Sequence, residues 1–234
     1  MLKVFSVTQC LCGEICEGVM VITDLGLIEF DTAYALQERL VAGIATGTEP
    51  ESLLLLEHPA VYTMGSGGSE SNILDTSLEV LRINRGGDVT WHGPGQLVGY
   101  PLIDLDRRGR DLHRYLRFLE ELLVRITADF GVAARRVPGR TGVWTTGGKI
   151  ASIGVGVRRW VTMHGFALNV APDLTAFDLI NPCGIAACPV TSLSRECGTE
   201  VHLAAVRKVI SDRFAPLLTE WMPEGRTARS SARV

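Results

Sequence analysis

The chain has 234 residues, of which 46% are hydrophobic and 21% charged, and its formal net charge is −3. That length fits one large domain with a substantial core, and the composition is that of an ordinary soluble globular protein. The acidic balance argues against a general nucleic-acid binder, and no apolar run approaches the ~18 residues of a membrane span, so neither nucleic acid nor membrane is an expected partner.

Cys10, Cys12 and Cys16 cluster near the N-terminus. No second ligand pair with zinc-site spacing follows them, so a loosely ordered segment accounts for them more simply than a metal clip, and no metal is expected. Glu14 and Glu17 interrupt the apolar stretch after Lys3, which makes a poor signal peptide. A cytoplasmic location follows, where the six cysteines are expected as free thiols. Strand-like sequence begins after Met20. Residues 1–20 are therefore read as an extension, disordered or upstream of the native start; residues 21–222 form the domain, and 223–234 a disordered tail.

Asp31 is placed as the cap of a helix with Ala33, Leu36, Leu40, Val41 and Ile44 in register and Gly47 past its end. Ser52–Glu57, with four consecutive leucines, reads as a buried strand that ends at His58-Pro59. The stretch Val61 to Gly68 reads as a glycine-rich loop, either a substrate cover or a surface turn. Glu79–Arg85 is a predicted strand that feeds a second glycine-rich segment, Arg85 to Gln96. There, absent side chains let backbone approach a ligand while Arg85 and His92 offer polar contacts; a plain connection between strands is the competing reading.

Leu97–Ile103 is predicted as a strand. A helix capped by Asp111 follows, with Leu112, Tyr115, Leu116, Leu119, Leu122, Leu123, Ile126 and Phe130 on one face and Gly131 at its end. Arg107, Arg108, Arg110, Arg114 and Arg117 crowd its start, and Arg135, Arg136 and Arg140 come after it. Such runs are solvated faces or docking sites for an acidic partner.

The reactive groups come next. Lys149 is one of three lysines, with Lys3 and Lys208, among 23 basic residues; lysine can release a proton where arginine cannot. Alternation from Lys149 to Val157 sets the lysine on the face of Ala151, Ile153, Val155 and Val157. Alternation from Trp160 to Val170 sets His164 with Phe166, Leu168 and Val170, as a core residue or a catalyst. With Arg158-Arg159 as a two-residue hairpin loop, Lys149 and His164 fall roughly 13 Å apart and do not touch. A short helix, Asp173–Ile180, is broken at Asn181-Pro182, which delivers Cys183 on a tight turn. Cys183 is a buried thiol or a nucleophile; beside a cation such as Lys149 it would suit acyl chemistry, with the Gly184 N–H as a candidate oxyanion donor. Cys188 and Cys197 are read as packing residues. Thr191–Cys197 and His202–Trp221 are predicted helices, the second kinked at Pro216.

Five motifs together resemble the lipoyl(octanoyl) transferases. They are His58-Pro59-x-Val61-Tyr62-Thr63, the run Arg85-Gly86-Gly87-Asp88-Val89-Thr90-Trp91-His92-Gly93-Pro94-Gly95-Gln96, Gly148-Lys149-Ile150-Ala151-Ser152-Ile153-Gly154, His164-Gly165-Phe166-Ala167-Leu168-Asn169, and Ile180-Asn181-Pro182-Cys183-Gly184. They occur in the family's order across roughly residues 22 to 220. The resemblance implies a single α+β domain with a mixed β-sheet flanked by helices, like the catalytic domain of biotin and lipoate protein ligases. It implies a ping-pong transfer without cofactor, in which Cys183 takes octanoate from octanoyl-acyl carrier protein. The acyl group then passes to a lysine on lipoyl domains of 2-oxoacid dehydrogenases or on glycine cleavage H protein. Lys149 would assist Cys183, while Arg85, Gly86, Gly87, Asp88, Val89, Thr90, Trp91, His92, Ser152, Ile153, Gly154, His164, Gly165 and Phe166 would bind the acyl substrate. An ATP-dependent lipoate or biotin ligase is the nearest rival; a papain-like hydrolase and a non-catalytic docking module are further ones.

Overall fold

The computed structural model describes residues 3–6 and 20–225; Cys10, Cys12 and Cys16, and the tail from residue 226, lie outside them. In chain order the elements are β1 (Lys3–Ser6), β2 (Val21–Leu27), α1 (Phe30–Thr46), β3 (Ser52–Glu57), β4 (Val61–Met64), β5 (Val80–Arg82), β6 (Val89–His92), β7 (Gln96–Leu102) and α2 (Leu112–Asp129). They continue as β8 (Arg135–Val137), β9 (Arg140–Trp144), β10 (Lys149–Arg158), β11 (Val161–Asn169), α3 (Leu193–Cys197) and α4 (Leu203–Trp221). Eight strands form one sheet in the order β1-β2-β3-β7-β11-β10-β9-β8, and β5-β4-β6 form a smaller one. The large sheet is mixed, since β2 and β3 run parallel and its other pairs antiparallel.

The four leucines of β3 explain the layering. Leu53 and Leu55 join the cluster beneath α2 and α4, while Leu54 and Leu56 join the one beneath α1. A strand buried on both faces reads as a continuous apolar run for that reason. On the first face Phe118, Leu122 and Ile126 of α2 meet Ile210 and Phe214 of α4 over Leu97, Phe166 and Leu168; α4 runs unbroken through Pro216. The cap at Asp111, which accepts the Arg114 N–H at 2.8 Å, matches the expected helix start, while α3 begins at Leu193, two residues later than expected, with Ser192 as its cap.

Several boundaries differ from the expectation. α1 begins at Phe30 with Glu29 at its cap position, so Asp31 lies in the first turn and acts on the helix dipole instead of capping. The glycine-rich stretch from Val61 opens with β4, which pairs with both β5 and β6. Its remainder is no loose cover: Ser66 N–H donates to Arg85 O at 2.9 Å and Gly67 N–H to Gly87 O at 3.3 Å, bracing the arginine segment. The β10–β11 turn is Arg159-Trp160, one residue later than predicted, with φ of 52° and 62°. Two left-handed residues give the twist that a two-residue hairpin requires.

Part of the first arginine run is structural. Arg108 and Glu51, whose side chains are 6% and 7% exposed, pair at 2.6 Å, and Glu51 also accepts the Asp104 N–H. Deleting one partner of a buried pair strands the other charge, at about 3–5 kcal/mol. Glu51→Ala is expected to lose that much in urea unfolding, against ~1 kcal/mol or less for Glu49→Ala in the exposed Arg39–Glu49 pair. Equal losses would contradict it.

Candidate active site

Cys183 and Lys149 are 34 positions apart in sequence, yet Lys149 Nζ lies 2.5 Å from Cys183 Sγ. Two local devices produce the contact. The first is a register shift in the β9–β10 ladder, where Lys149 opposes Trp144 but Ala151 opposes Val143. The extra residue breaks the alternation. Ile150, Ala151 and Ile153 all enter the core beneath α2, whereas the Lys149 amine turns to Cys183 and sits 5.6 Å from the Trp144 ring centroid. Lys149 is therefore not on the face of Ala151 and Ile153, as strict alternation predicts. A side chain at Gly142 would come within 2.9 Å of Lys149 Cε, so the neighbouring strand must be bare there.

The second device is the turn bearing Cys183. Cys183 has φ 57° and ψ 28° after Pro182, a left-handed conformation that non-glycine residues adopt chiefly where surrounding contacts enforce it. Those contacts are Asn181 N–H to Asn72 O at 2.7 Å and the Ile73–Ile180 bridge. The Gly184 N–H, the expected oxyanion donor, donates within this turn to Asn181 O at 3.0 Å. Lys149 is held by a strap, its N–H donating to Pro189 O at 2.7 Å and its carbonyl accepting from Thr191 N–H at 3.0 Å.

Cys183 opens onto a pocket of about 460 Å³, its mouth included. Of the expected residues, Arg85, Gly87, Asp88, Thr90, His92, Ser152, Ile153, Gly154, His164, Gly165 and Phe166 line it. Gly86, Val89 and Trp91 do not. The Gly86 N–H pins the segment to Val155 O at 2.8 Å. Val89 and Trp91 point to the far side of β6, where Trp91 meets Phe177 at 5.5 Å. Phe30, Ile83, Val98, Tyr100 and Ala167 complete the wall. Val98 and Tyr100 carried a period-2 signal, but no local pattern says which face of β7 meets a ligand.

Arg85 crosses the pocket wall as a buried cation. Its guanidinium donates to Thr63 O at 2.8 Å, Thr63 Oγ1 at 3.0 Å and Gly86 O at 3.1 Å, and its Nε has no partner among the described residues. Burial pulls its pKa below arginine's usual value, opposed first by the negative charge Cys183 can carry. A side chain at Gly154 would meet Arg85 Cδ at 3.0 Å, so the sheet is bare where the arginine lies across it. Asp88 ties this segment to the Cys183 turn through Asn72 Nδ2 at 2.6 Å.

Two histidines, His92 and His164, feel this cation, and a third, His58, lies behind His92; all are neutral at pH 7. His164 has φ 54°, which takes it out of the strand alternation. It faces Tyr34 of α1 at 5.7 Å and Tyr100 at 6.0 Å, away from the face of Leu168. Its Nε2 meets Asn84 Oδ1 at 2.9 Å. Opposite Val155 it stands six residues from Lys149 along the ladder, about 20 Å, so the two do not touch. His92 Nδ1 donates to Gln96 Oε1 at 2.8 Å, because the amide nitrogen of Gln96 is spent on Trp91 O and Asn169 Oδ1. His58 bridges Ile28 O and Tyr100 Oη.

Burial, then repulsion from neighbouring His58, lowers His92 to about 3; burial, then Arg85, lowers His164 to about 4. Burial also lowers His58. Above pH ~6.5 these rings are neutral folded and unfolded and add no pH dependence. As pH falls below that value the unfolded chain takes up protons that the folded one refuses, so stability declines. Urea unfolding is expected to show a steady loss as pH falls from about 6.5 to 5, mostly above the range of carboxylate titration. A flat profile would contradict the buried neutral assignment.

Cys188 differs from its expected role. Burial raises its thiol pKa, while Lys149, Cys183 and Arg140 all act on it, so it borders the site. Cys197 packs against the core and reaches Phe130 O at 3.4 Å, as expected. Among the described residues no group of three or more metal-ligating side chains is gathered.

The lipoyl protein ligase A/B catalytic domain model matches residues 29–215. An octanoyltransferase of Geobacter metallireducens is 66% identical over 209 residues, covering 89% of this chain and 98% of the relative. One of Geotalea uraniireducens is 69% identical over 204 residues, 87% and 95% of the two chains. Among solved structures, lipoate-protein ligase A bound with ATP superimposes with a TM-score of 0.62 at 16% identity, covering 85% of this chain and 84% of that one. The biotin protein ligase of Aquifex aeolicus with biotin and ATP gives 0.52 at 12%, covering 86% and 71%. Identities this low speak to the shared fold alone.

Proposed function

This chain belongs to the lipoyl protein ligase A/B catalytic-domain family, and we propose the route by which it carries out the octanoyl transfer of protein lipoylation for which its relatives are named. It is an acyltransferase, and its nucleophile is Cys183. The single observation that carries this assignment is the 2.5 Å contact of Lys149 Nζ with Cys183 Sγ at a pocket wall.

The donor is an octanoyl thioester on acyl carrier protein. Cys183 sulfur attacks the thioester carbonyl, its proton passing to Lys149 Nζ. The donor's C–S bond breaks, and the departing thiolate takes a proton from Nζ, which leaves octanoyl-Cys183. An acceptor lysine on a lipoyl domain then attacks the same carbonyl. It gives a proton to Nζ as the C–N bond forms; the acyl C–Sγ bond then breaks, and Nζ returns that proton to the departing Cys183 thiolate. A thioester is activated enough for both exchanges, so ATP has no part. The pocket beneath Cys183, walled by Ile153, Phe166, Val98 and Ala167, suits an apolar chain. We place the reaction in the cytoplasm, where a nucleophilic cysteine stays reduced; no helix among the described residues is long and apolar enough to cross a membrane.

Intact-protein mass spectrometry after incubation with octanoyl-acyl carrier protein, without ATP, tests the scheme. A hydroxylamine-labile octanoyl adduct is expected, transferable to a lipoyl domain. An adduct that forms only with ATP and free octanoate or lipoate would replace it with the ligase reading.

A further inference from the structure

The two arginine runs of the sequence separate in the structure by what neutralises them. Arg107 pairs with Glu224, Arg108 with Glu51, Arg110 with Asp106 and Arg117 with Glu120. Arg136 is held by Glu121. Of those eight arginines only Arg114, Arg135 and Arg140 have no carboxylate within 4.0 Å among the described residues. Arg114 belongs to α2. Arg135 and Arg140, both exposed, sit on the β8–β9 hairpin at the edge of the large sheet.

That hairpin is the one beside the nucleophile. Arg135 lies opposite Trp144 in the ladder, and the Arg140 guanidinium stands 5.5 Å from the Trp144 ring centroid. Lys149 Nζ stands 5.6 Å from the same centroid, and Arg140 acts electrostatically on Cys188. A guanidinium stacked on a buried indole is pre-oriented, so it loses little freedom when it engages an anion. On a chain of net charge −3, an uncompensated positive edge linked to Cys183 through Trp144 and Lys149 is a local attractor for a negatively charged substrate.

We propose that Arg140, with Arg135, binds the phosphodiester at the root of the donor's thioester-bearing pantetheine arm. This rests on the octanoyl-transfer reading and adds the group by which the donor is recognised. A phosphate beside the hairpin would direct the arm past Trp144 and Lys149 to Cys183, and bidentate donation to phosphate oxygens suits arginine.

The test compares two small donors, octanoyl-phosphopantetheine and octanoyl-pantetheine, on wild type, Arg140→Glu and the Arg135→Ala/Arg140→Ala double variant. The quantity read is the ratio of their kcat/KM values, in which any disturbance of Cys183, Lys149 or folding cancels. Wild type is expected to prefer the phosphorylated donor, and Arg140→Glu to reduce that preference about tenfold, with a shallower salt dependence. An unchanged ratio, including one that persists when both rates fall together, overturns the proposal. Isothermal titration of unacylated phosphopantetheine, which needs no chemistry, is expected to show the same loss of affinity; equal affinity in wild type and Arg140→Glu overturns it. If wild type forms no adduct even with octanoyl-acyl carrier protein yet binds phosphopantetheine through Arg140, the transfer scheme fails and the phosphate site stands.

Discussion

Cys183→Ala is expected to lower octanoyl transfer by at least about 10⁴-fold in kcat/KM and to remove the acyl adduct entirely. In the proposed scheme both half-reactions turn on this sulfur, and what would remain without it is proximity within the pocket. Stability should change by less than ~1 kcal/mol. The side chain is only half-buried, and alanine meets the same left-handed backbone strain that cysteine already bears at φ 57°. Peptide mapping after octanoyl labelling supplies the discriminating readout, because Cys188 borders the same lysine. Label on Cys188 in wild type, or an unchanged rate in Cys183→Ala, would move the chemistry off Cys183.

Lys149→Ala is expected to cost about 10²- to 10⁴-fold, the range for losing a positioned proton carrier. Lys149→Arg separates the two ways the amine acts. Arginine preserves the positive charge beside the sulfur but cannot release a proton, and its planar head does not match a point charge. If proton transfer dominates, the arginine variant stays within about tenfold of the alanine variant; near-wild-type rescue would mean that charge alone matters. On the Cys183→Ala background, Lys149→Ala should add almost nothing, since residues acting as one unit are strongly non-additive. An additive loss would place Lys149 in folding or donor binding instead.

Much of this molecule is legible before folding. The double-faced burial of β3 shows in four consecutive leucines, α2 in its apolar period and Asp111 cap, and the turn that carries Cys183 in the Asn181-Pro182 break before it. These are local quantities, set by side-chain volume, hydropathy period and backbone propensity over a few residues. Which residues meet was decided elsewhere. Period-2 alternation assigns Lys149 and His164 to the wrong face, because a one-residue register shift and a single positive φ each reverse a side chain without leaving a sequence pattern. The same holds for Val89 and Trp91, which share a motif with pocket residues but lie on the other side of their strand. It holds for the arginines too, whose charge is cancelled or left free according to carboxylates as distant as Glu224 from Arg107. The chain by itself determined which groups exist and which segments can be helix or strand. Tertiary structure alone brought Lys149 to Cys183 across 34 positions, since that contact depends on the strap at Pro189–Thr191, far from Lys149 in sequence, and on the support of Asn72, far from both.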